Sequence, residues 1–125
     1  VEGKTAIYLQ YTRVRIKSIL ESVQIKDYLE NISNDEISKT EENLIVSLLK
    51  FSDIFNRAKN LNEPHHLAEY LYEVCQKFNS MYKDVRIIGS ESKAIQNRRI
   101  NILITSLTVI DLIFEILGMQ TVDKM

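Results

Sequence analysis

The scarcity of turn-forming residues constrains the fold of this chain most. Its 125 residues include only three glycines and one proline. Because these two residue types supply most tight turns, a β-sandwich or barrel with many short strands is excluded, and a few long helices are favoured. Apolar residues make up 45% of the chain, which is enough to build the core of one domain. We therefore predict an all-α bundle of about five helices spanning residues 1–125.

The first half of the chain contains three predicted helices. The first runs from about Thr5 to Asp27, and apolar residues at helical spacing give it a buried stripe formed by Leu9, Ile16, Leu20 and Val23. A turn cluster over residues 33–36 precedes the second helix, which opens at Thr40 and directs three leucines inward, namely Leu44, Leu48 and Leu49. A short third helix is predicted from Ser52 to Leu61.

The second half of the chain contains two longer helices. Pro64 marks the first position of the fourth helix, whose apolar residues recur at spacings of three and four as Leu67, Leu71, Val74, Phe78 and Met81. An irregular stretch over residues 84–96 follows, and the last helix runs from about Asn97 to its cap at Gly118. The apolar run 100–117 contains Asp111 and Glu115, which would be costly inside a bilayer, so we expect a buried central helix.

Charge and cysteine content limit the classes of partner and compartment. Residues 1–26 carry five basic and two acidic side chains, whereas residues 27–80 carry five basic and ten acidic ones. The basic first helix is therefore able to meet a polyanion locally. A single cysteine forbids an internal disulfide and indicates an intracellular protein. The chain opens without an initiator Met or an apolar signal region, so we expect a piece excised from a longer cytoplasmic protein.

Most catalytic patterns are missing from the sequence. It has no Gly-rich phosphate loop, no His/Cys cluster at zinc spacing and no nucleophile beside an evident base. His65 and His66 are adjacent, so on a helix they should point about 100° apart and not share a metal ion. Cys75 falls on the apolar stripe and is expected to be a buried, inert thiol. Asp111 and Glu115 are expected to form a solvated helix edge. We predict no catalytic residue and no metal site.

One face of the first helix remains unexplained by packing. Tyr8, Tyr11 and Arg15 fall together there, and we expect Arg13 and Lys17 to lie near this face. Aromatic rings that stack on unpaired bases, beside cations that reach phosphates, are what recognition of single-stranded RNA requires. Tyrosines at helical spacing are also common packing residues with a hydroxyl at the rim, so a purely structural role stays open.

Tyr82 raises the same question on the fourth helix. It continues the stripe that contains Phe78, so it could be a core residue. It also lies near the end of the helix and next to Lys83. We expect one face of its ring to be packed and the other to be exposed.

Three blocks of residues resemble the C-terminal anticodon-binding domain of arginyl-tRNA synthetases, the DALR family. The first block is Gly3-Lys4-Thr5-Ala6-Ile7-Tyr8-Leu9-Gln10-Tyr11, followed by Arg15-Ile16. The second comprises Glu63-Pro64-His65, Leu67-Ala68, Tyr70-Leu71, Phe78-Asn79, Tyr82 and Val85-Arg86. The third is Leu117-Gly118-Met119 with a basic residue before Met125. The blocks occur in the family's order and span nearly the whole chain. The sequence departs from the family at Arg13, where His is frequent, and at Lys124, where Arg is usual.

The resemblance implies a specific set of site residues. In the family, an all-α bundle appended to a Rossmann-type catalytic domain receives the anticodon stem and loop. Carried over to this chain, the residues that surround the splayed anticodon bases are Tyr8, Tyr11, Arg15, Tyr82 and Met125. Residues 119–125 would otherwise be a mobile tail, and we expect them to be only partly ordered without RNA.

The resemblance also implies the partners. The chain should bind the anticodon stem-loop of an arginine tRNA and should contact the catalytic domain of the same polypeptide, as a monomer and without a membrane. ATP and arginine would bind the absent catalytic domain, so this chain needs no cofactor. Two alternatives stay open: the equivalent helical domain of another class I synthetase, such as the cysteinyl enzyme, and a helical protein-interaction module whose anchors are Tyr8 and Tyr11.

Overall fold

The computed structural model describes residues 3–23 and 31–125. They form five helices: α1 (Gly3–Glu21), α2 (Lys39–Leu49), α3 (Phe51–Leu61), α4 (His65–Asp84) and α5 (Lys93–Ile116). Only Lys50 separates α2 from α3, so these two helices can also be counted as one, which gives four helices in the described residues. No strand occurs in either described range. The predicted all-α bundle of about five helices is confirmed.

The fourth helix organises the core, because α4 packs against each of the other four helices. Its predicted apolar stripe is buried as a whole, and the stripe comprises Leu67, Leu71, Val74, Phe78 and Met81. Burial of one such side chain contributes roughly 1.5–3 kcal/mol. Helix α5 also contributes to the core, because it packs against α1, α2 and α4. None of the helices in the described ranges is both long and apolar enough to cross a bilayer.

The last helix begins earlier than predicted and ends where predicted. Ser92 is its N-cap, and the Ser92 hydroxyl accepts the backbone N–H of Ile95 at 3.1 Å. The helix therefore starts at Lys93, four residues before the predicted Asn97. At the other end, Gly118 adopts φ +71°.

Two backbone bonds close the end of α5. The N–H of Met119 donates to the carbonyl of Phe114 at 2.8 Å, and the N–H of Gly118 donates to the carbonyl of Glu115 at 3.1 Å. This pair of bonds is a Schellman cap, so the prediction of Gly118 as the helix cap is confirmed.

Two boundary or burial predictions differ from the structure. The first helix ends at Glu21, where the N–H of Ser22 donates to the carbonyl of Ile19 in a tightened turn; the predicted end at Asp27 lies outside the described residues. In α2, Leu44 is buried and Leu48 is half-buried, but 77% of Leu49 is exposed. Adjacent residues on a helix point about 100° apart, so Leu49 cannot share the inward face of Leu48, and that prediction is wrong.

A buried charged cluster ties the N-terminus of α2 to α5. The Glu41 carboxylate is fully buried and accepts from Arg98 Nη2 at 3.0 Å and from Arg99 Nε at 3.1 Å. It also accepts the backbone N–H of Ser38, while the Ser38 hydroxyl accepts that of Glu41, which completes a capping box. Burial opposes ionisation, but the hydrogen bonds from Arg99, Ser38 and Arg98 outweigh it and lower the pKa of Glu41.

The segment that follows α5 runs along α1 in the same direction. Gln10 donates a side-chain hydrogen bond to the carbonyl of Gln120, and Arg13 Nη1 donates to the carbonyl of Val122 at 2.9 Å. Lys17 Nζ donates to Asp123 Oδ1 at 2.7 Å, and this hydrogen bond lowers the pKa of Asp123. The seven helical residues from Gln10 to Lys17 rise about 10 Å, which is also the length of the three extended residues from Gln120 to Asp123. The tail over residues 120–123 is thus bound to α1.

Candidate nucleic-acid interface

Helices α1 and α4 bring four of the predicted site residues together. The Cζ atom of Arg15 lies 5.0 Å from the ring centroid of Tyr11 and 4.4 Å from that of Tyr82. Both distances are within the range of cation–π contacts. Tyr11 is exposed by 50% and Tyr82 by 42%, so each ring still presents surface to solvent. The sequence placed Tyr11 and Arg15 on one face of α1, and the packing of α4 on α1 adds Tyr82.

Asn79 connects this group to Tyr8. Arg15 Nη1 donates to Asn79 Oδ1 at 2.8 Å, and Asn79 Nδ2 donates to the Tyr8 hydroxyl at 3.1 Å. The Tyr8 ring is half-buried and lies 5.4 Å from the ring of Tyr72, measured between centroids. Burial raises the pKa of Tyr8 although the hydrogen bond from Asn79 opposes the rise. Tyr8 is therefore a neutral phenol near pH 7, at the inner edge of the group.

An open cavity borders the exposed side of this group. Its volume is about 560 Å³, and its lining comprises Ile19 and residues 82–88, including the ring of Tyr82 and two cationic residues, Lys83 and Arg86. A cavity of this size lies in the range that accepts small ligands. Tyr82 also packs on Phe78, with ring centroids 6.0 Å apart. The aromatic group is thus continuous with a groove that is lined by apolar side chains, by two cationic residues and by the acidic Asp84.

Met125 is the one predicted site residue that the described contacts do not join to the group. It lies at the end of the tail, and 60% of it is exposed. The tail approaches α1 on the side of Arg13 and Lys17, which lie far around the helix from Arg15. Its role in binding therefore stays a prediction.

Arg13 and Lys17 do not belong to the aromatic face. Arg13 is buried and forms an ion pair with Asp111, with Nε and Oδ1 2.6 Å apart, while Lys17 binds Asp123. The proximity inferred from sequence is wrong because positions 13 and 17 point away from position 15 on a helix. Asp111 is accordingly an ion-pair partner that is half-buried, whereas Glu115 is exposed as predicted.

Asn79 and Thr12 are the site residues that sequence reasoning missed. Thr12 is fully buried, and its hydroxyl accepts from Asn79 Nδ2 at 2.9 Å and donates to the carbonyl of Tyr8 at 2.9 Å. A signal for Asn79 was available: it is a polar amide placed one helical turn after buried Cys75 and one before Tyr82. Buried amides in such positions are usually held by hydrogen bonds to a neighbouring helix.

The other reactive groups that the sequence singled out, Cys75 and the histidine pair, are also on α4. Cys75 is fully buried, and burial raises the pKa of its thiol to about 12, which confirms an inert cysteine. His65 and His66 do not point apart as expected, since their ring centroids are 4.1 Å apart. No preceding helical turn restricts their side chains at the start of α4.

Glu63 joins these histidines, so that one ligand atom from each of the three residues lies within 4.8 Å of the others. The carboxylate of Glu63 contacts His66 Nε2 at 2.8 Å. The positive end of the α4 dipole disfavours a metal ion at this place, and a His–Glu pair accounts for the contact.

The chain is similar to known proteins over nearly its whole length. The family model described as the DALR anticodon binding domain matches residues 9–125. The chain is 30% identical to an arginine–tRNA ligase of Agathobacter rectalis over 99% of its length, and 33% identical to that of Buchnera aphidicola over 100%. It spans only 21% and 22% of those two proteins.

A solved structure shows the same fold. The structure superposes with a TM-score of 0.83 on a crystal structure of a Campylobacter jejuni protein named as an arginyl-tRNA synthetase. The match covers 97% of this chain and 26% of the other, at 18% identity. The family model covers most of the chain, and the matched residues include Tyr11, Arg15 and Tyr82. The chain therefore belongs to the DALR anticodon-binding domain family.

Proposed function

We propose that this chain binds the anticodon stem and loop of an arginine tRNA and is part of an arginine–tRNA ligase. The observation that carries the proposal is the position of the Arg15 guanidinium over the two half-exposed rings, Tyr11 and Tyr82. Family membership and the names of the relatives support it.

The chemistry of the group suits unpaired bases. An unstacked base needs a flat apolar partner for its face and donors for its edge or its phosphate. Tyr11 and Tyr82 supply exposed ring surface, and Arg15 supplies a charged, planar set of donors. The groove lined by residues 82–88 gives the loop room beside Tyr82. Met125, at the end of the bound tail, is proposed to pack its thioether on a base.

The remaining four-fifths of the parent protein would perform the chemistry. We propose that a catalytic domain in the same polypeptide attaches arginine to the tRNA with ATP, and that this chain holds the other end of the tRNA. The parent is proposed to act as a monomer in the cytoplasm, and this chain to need no cofactor of its own.

Binding by the 125-residue chain tests the proposal. We expect an arginine anticodon stem-loop to bind more tightly than one with a substituted central base, with each lost stack costing about 1–3 kcal/mol. Tyr11→Ala should remove most of that preference, whereas Arg57→Ala, an exposed cation on α3, should leave it unchanged.

The dependence of binding on salt separates this function from a protein-interaction module. Contacts to phosphates release counterions, so the dissociation constant should rise steeply with salt, whereas an apolar protein interface would show little change. Equal affinity for both stem-loops at every salt concentration would rule out anticodon recognition by this surface.

A further inference from the structure

We propose that Asn79 is a positioning residue for RNA binding, which acts by holding the Arg15 guanidinium over Tyr11 and Tyr82. The inference rests on the proposed function and adds to it a residue that does not itself face the rings. Asn79 is half-buried on α4, three residues before Tyr82.

The amide of Asn79 is fixed in one orientation. A guanidinium has only donors, so the atom that faces Arg15 Nη1 at 2.8 Å must be the amide oxygen. The amide nitrogen then faces three acceptors, which are the carbonyl of Cys75 at 3.0 Å, the hydroxyl of Thr12 at 2.9 Å and the hydroxyl of Tyr8 at 3.1 Å. A rotated amide would set its N–H groups against Arg15 and its oxygen against the Cys75 carbonyl, so it would lose both of those contacts. The network itself therefore assigns the oxygen to Arg15.

Both helices take part in this fixation. The bond to the Cys75 carbonyl anchors the amide to its own helix, α4, and the bonds to Thr12 and Tyr8 anchor it to α1. Thr12 is itself held, since its hydroxyl donates to the carbonyl of Tyr8. Arg15 consequently meets an acceptor whose position is set by the packing of the bundle.

A fixed acceptor matters because the arginine side chain is long and flexible. Without Asn79 the guanidinium would sample many rotamers, and binding RNA would have to restrict them. In the structure, the bond to Asn79 uses one N–H of Arg15, and within the described residues the other donors stay available for RNA. Asn79 thus fixes the position of the Arg15 guanidinium before RNA binds and occupies only one of its N–H groups.

A double-mutant cycle on stem-loop binding by the 125-residue chain tests the inference. Asn79→Ser retains a hydroxyl that reaches the carbonyl of Cys75 one turn earlier but is too short to reach Arg15. We expect it to weaken binding about 5-fold, the loss typical of one hydrogen bond. In the Arg15→Ala background the same change should alter affinity less than 2-fold, because Asn79 acts through Arg15.

The salt dependence of binding supplies a readout that a merely structural role would not move. If Arg15 no longer reaches a phosphate, the slope of affinity against salt should fall by about one in both Asn79→Ser and Arg15→Ala. Ser80→Ala, a change at an exposed residue of α4 next to Asn79 that leaves the Arg15 bond in place, is the matched control and should keep the slope. Circular dichroism of each variant verifies its fold, and Asn79→Ala serves in place of Asn79→Ser if the latter unfolds.

The outcomes separate the two proposals. If Arg15→Ala leaves binding unchanged, anticodon binding by this surface fails, and the inference fails with it. If Arg15→Ala weakens binding but Asn79→Ser has no effect, only the positioning role of Asn79 is overturned. The same holds if Asn79→Ser weakens binding by the same factor with and without Arg15.

Discussion

Two aromatic residues one helical turn apart on α4 have different surroundings. Phe78 is fully buried, whereas Tyr82 is 42% exposed although it continues the same stripe. Periodicity in the sequence assigned both to one face and could not separate them, because it gives the face of a residue and not how much of that face the neighbouring helices cover. The half-exposed ring at Tyr82 agrees with the expectation of one packed and one open face.

Truncation of these two rings should have different effects on stability. Tyr82→Ala should lower the free energy of unfolding by about 1–2 kcal/mol, while Phe78→Ala should lower it by about 3–5 kcal/mol, because only the second change empties a sealed part of the core. Chemical denaturation of both variants at one pH measures the difference. Equal losses would show that Tyr82 is a core residue and not a ring presented to a ligand.

Met125 provides a test at the last residue of the sequence. It is exposed, so Met125→Ser should change the free energy of unfolding by less than about 0.5 kcal/mol. If the thioether packs on a base, the same variant should weaken stem-loop binding by about 1 kcal/mol or more. The comparison of thermal unfolding with binding decides the matter, and unchanged binding would show that the residue was wrongly carried over from the family.

The helices show what a single sequence can predict. The stripe of α4 and the glycine cap of α5 follow from local spacing and backbone conformation, so both are confirmed. The start of α5 was missed because residues 93–96 include a single buried side chain, Ile95, and the next turn carries buried Asn97, Arg98 and Arg99, so the regular apolar pattern begins only at Ile100. Both arginines can be buried because Glu41 on a distant helix faces them and backbone carbonyls accept their remaining N–H groups. Such long-range pairing cannot be read from local periodicity.

The same limit applies to the candidate site. Tyr8, Tyr11 and Arg15 lie on one helix and could be grouped by counting residues, and Tyr82 required the family resemblance. Asn79 needed the packed structure, since its four partners come from two helices.

The cap of α5 permits a prediction for the end of that helix. Gly118 has φ +71° and open space around the position of a Cβ atom, so Gly118→Ala causes backbone strain without a clash. We expect a loss of about 1 kcal/mol in the free energy of unfolding. Gly3→Ala is the matched control. Gly3 is helical, its φ is not positive and the space around an added Cβ atom is open, so this change should be neutral or slightly stabilising. A neutral Gly118→Ala would contradict the cap.

At the scale of the whole molecule, Glu41 joins α2 to α5 and should determine stability in acid. Its folded pKa is lowered, so its contribution is complete above the unfolded pKa of about 4.3 and is lost as the pH falls through the folded value. Glu41→Gln should cost about 3–5 kcal/mol at pH 7, since it takes the counter-charge from buried Arg98 and leaves buried Arg99 with only the half-exposed Glu91.

Urea unfolding of the Glu41→Gln chain between pH 3 and 7 measures both effects. The variant should lose less stability on acidification than the parent chain does. Glu42→Gln is the control, because Glu42 is exposed and its pairing with Lys39 is worth little. A Glu41→Gln variant with the stability of the parent chain at pH 7 would show that the cluster is not needed.

The partners of α1 lie far along the chain, and this affects the order of events on the ribosome. Synthesis proceeds at about 5–20 residues per second, so α1 emerges several seconds before α5. Helix α5 carries Asp111, the ion-pair partner of Arg13 on α1. During that interval the apolar stripe of Leu9 and Ile16 has no complete core to enter. The surface shared by α1 and α4 cannot assemble until Tyr82 has been made. On the proposed function, an unfinished copy of the protein therefore lacks the surface that binds the anticodon.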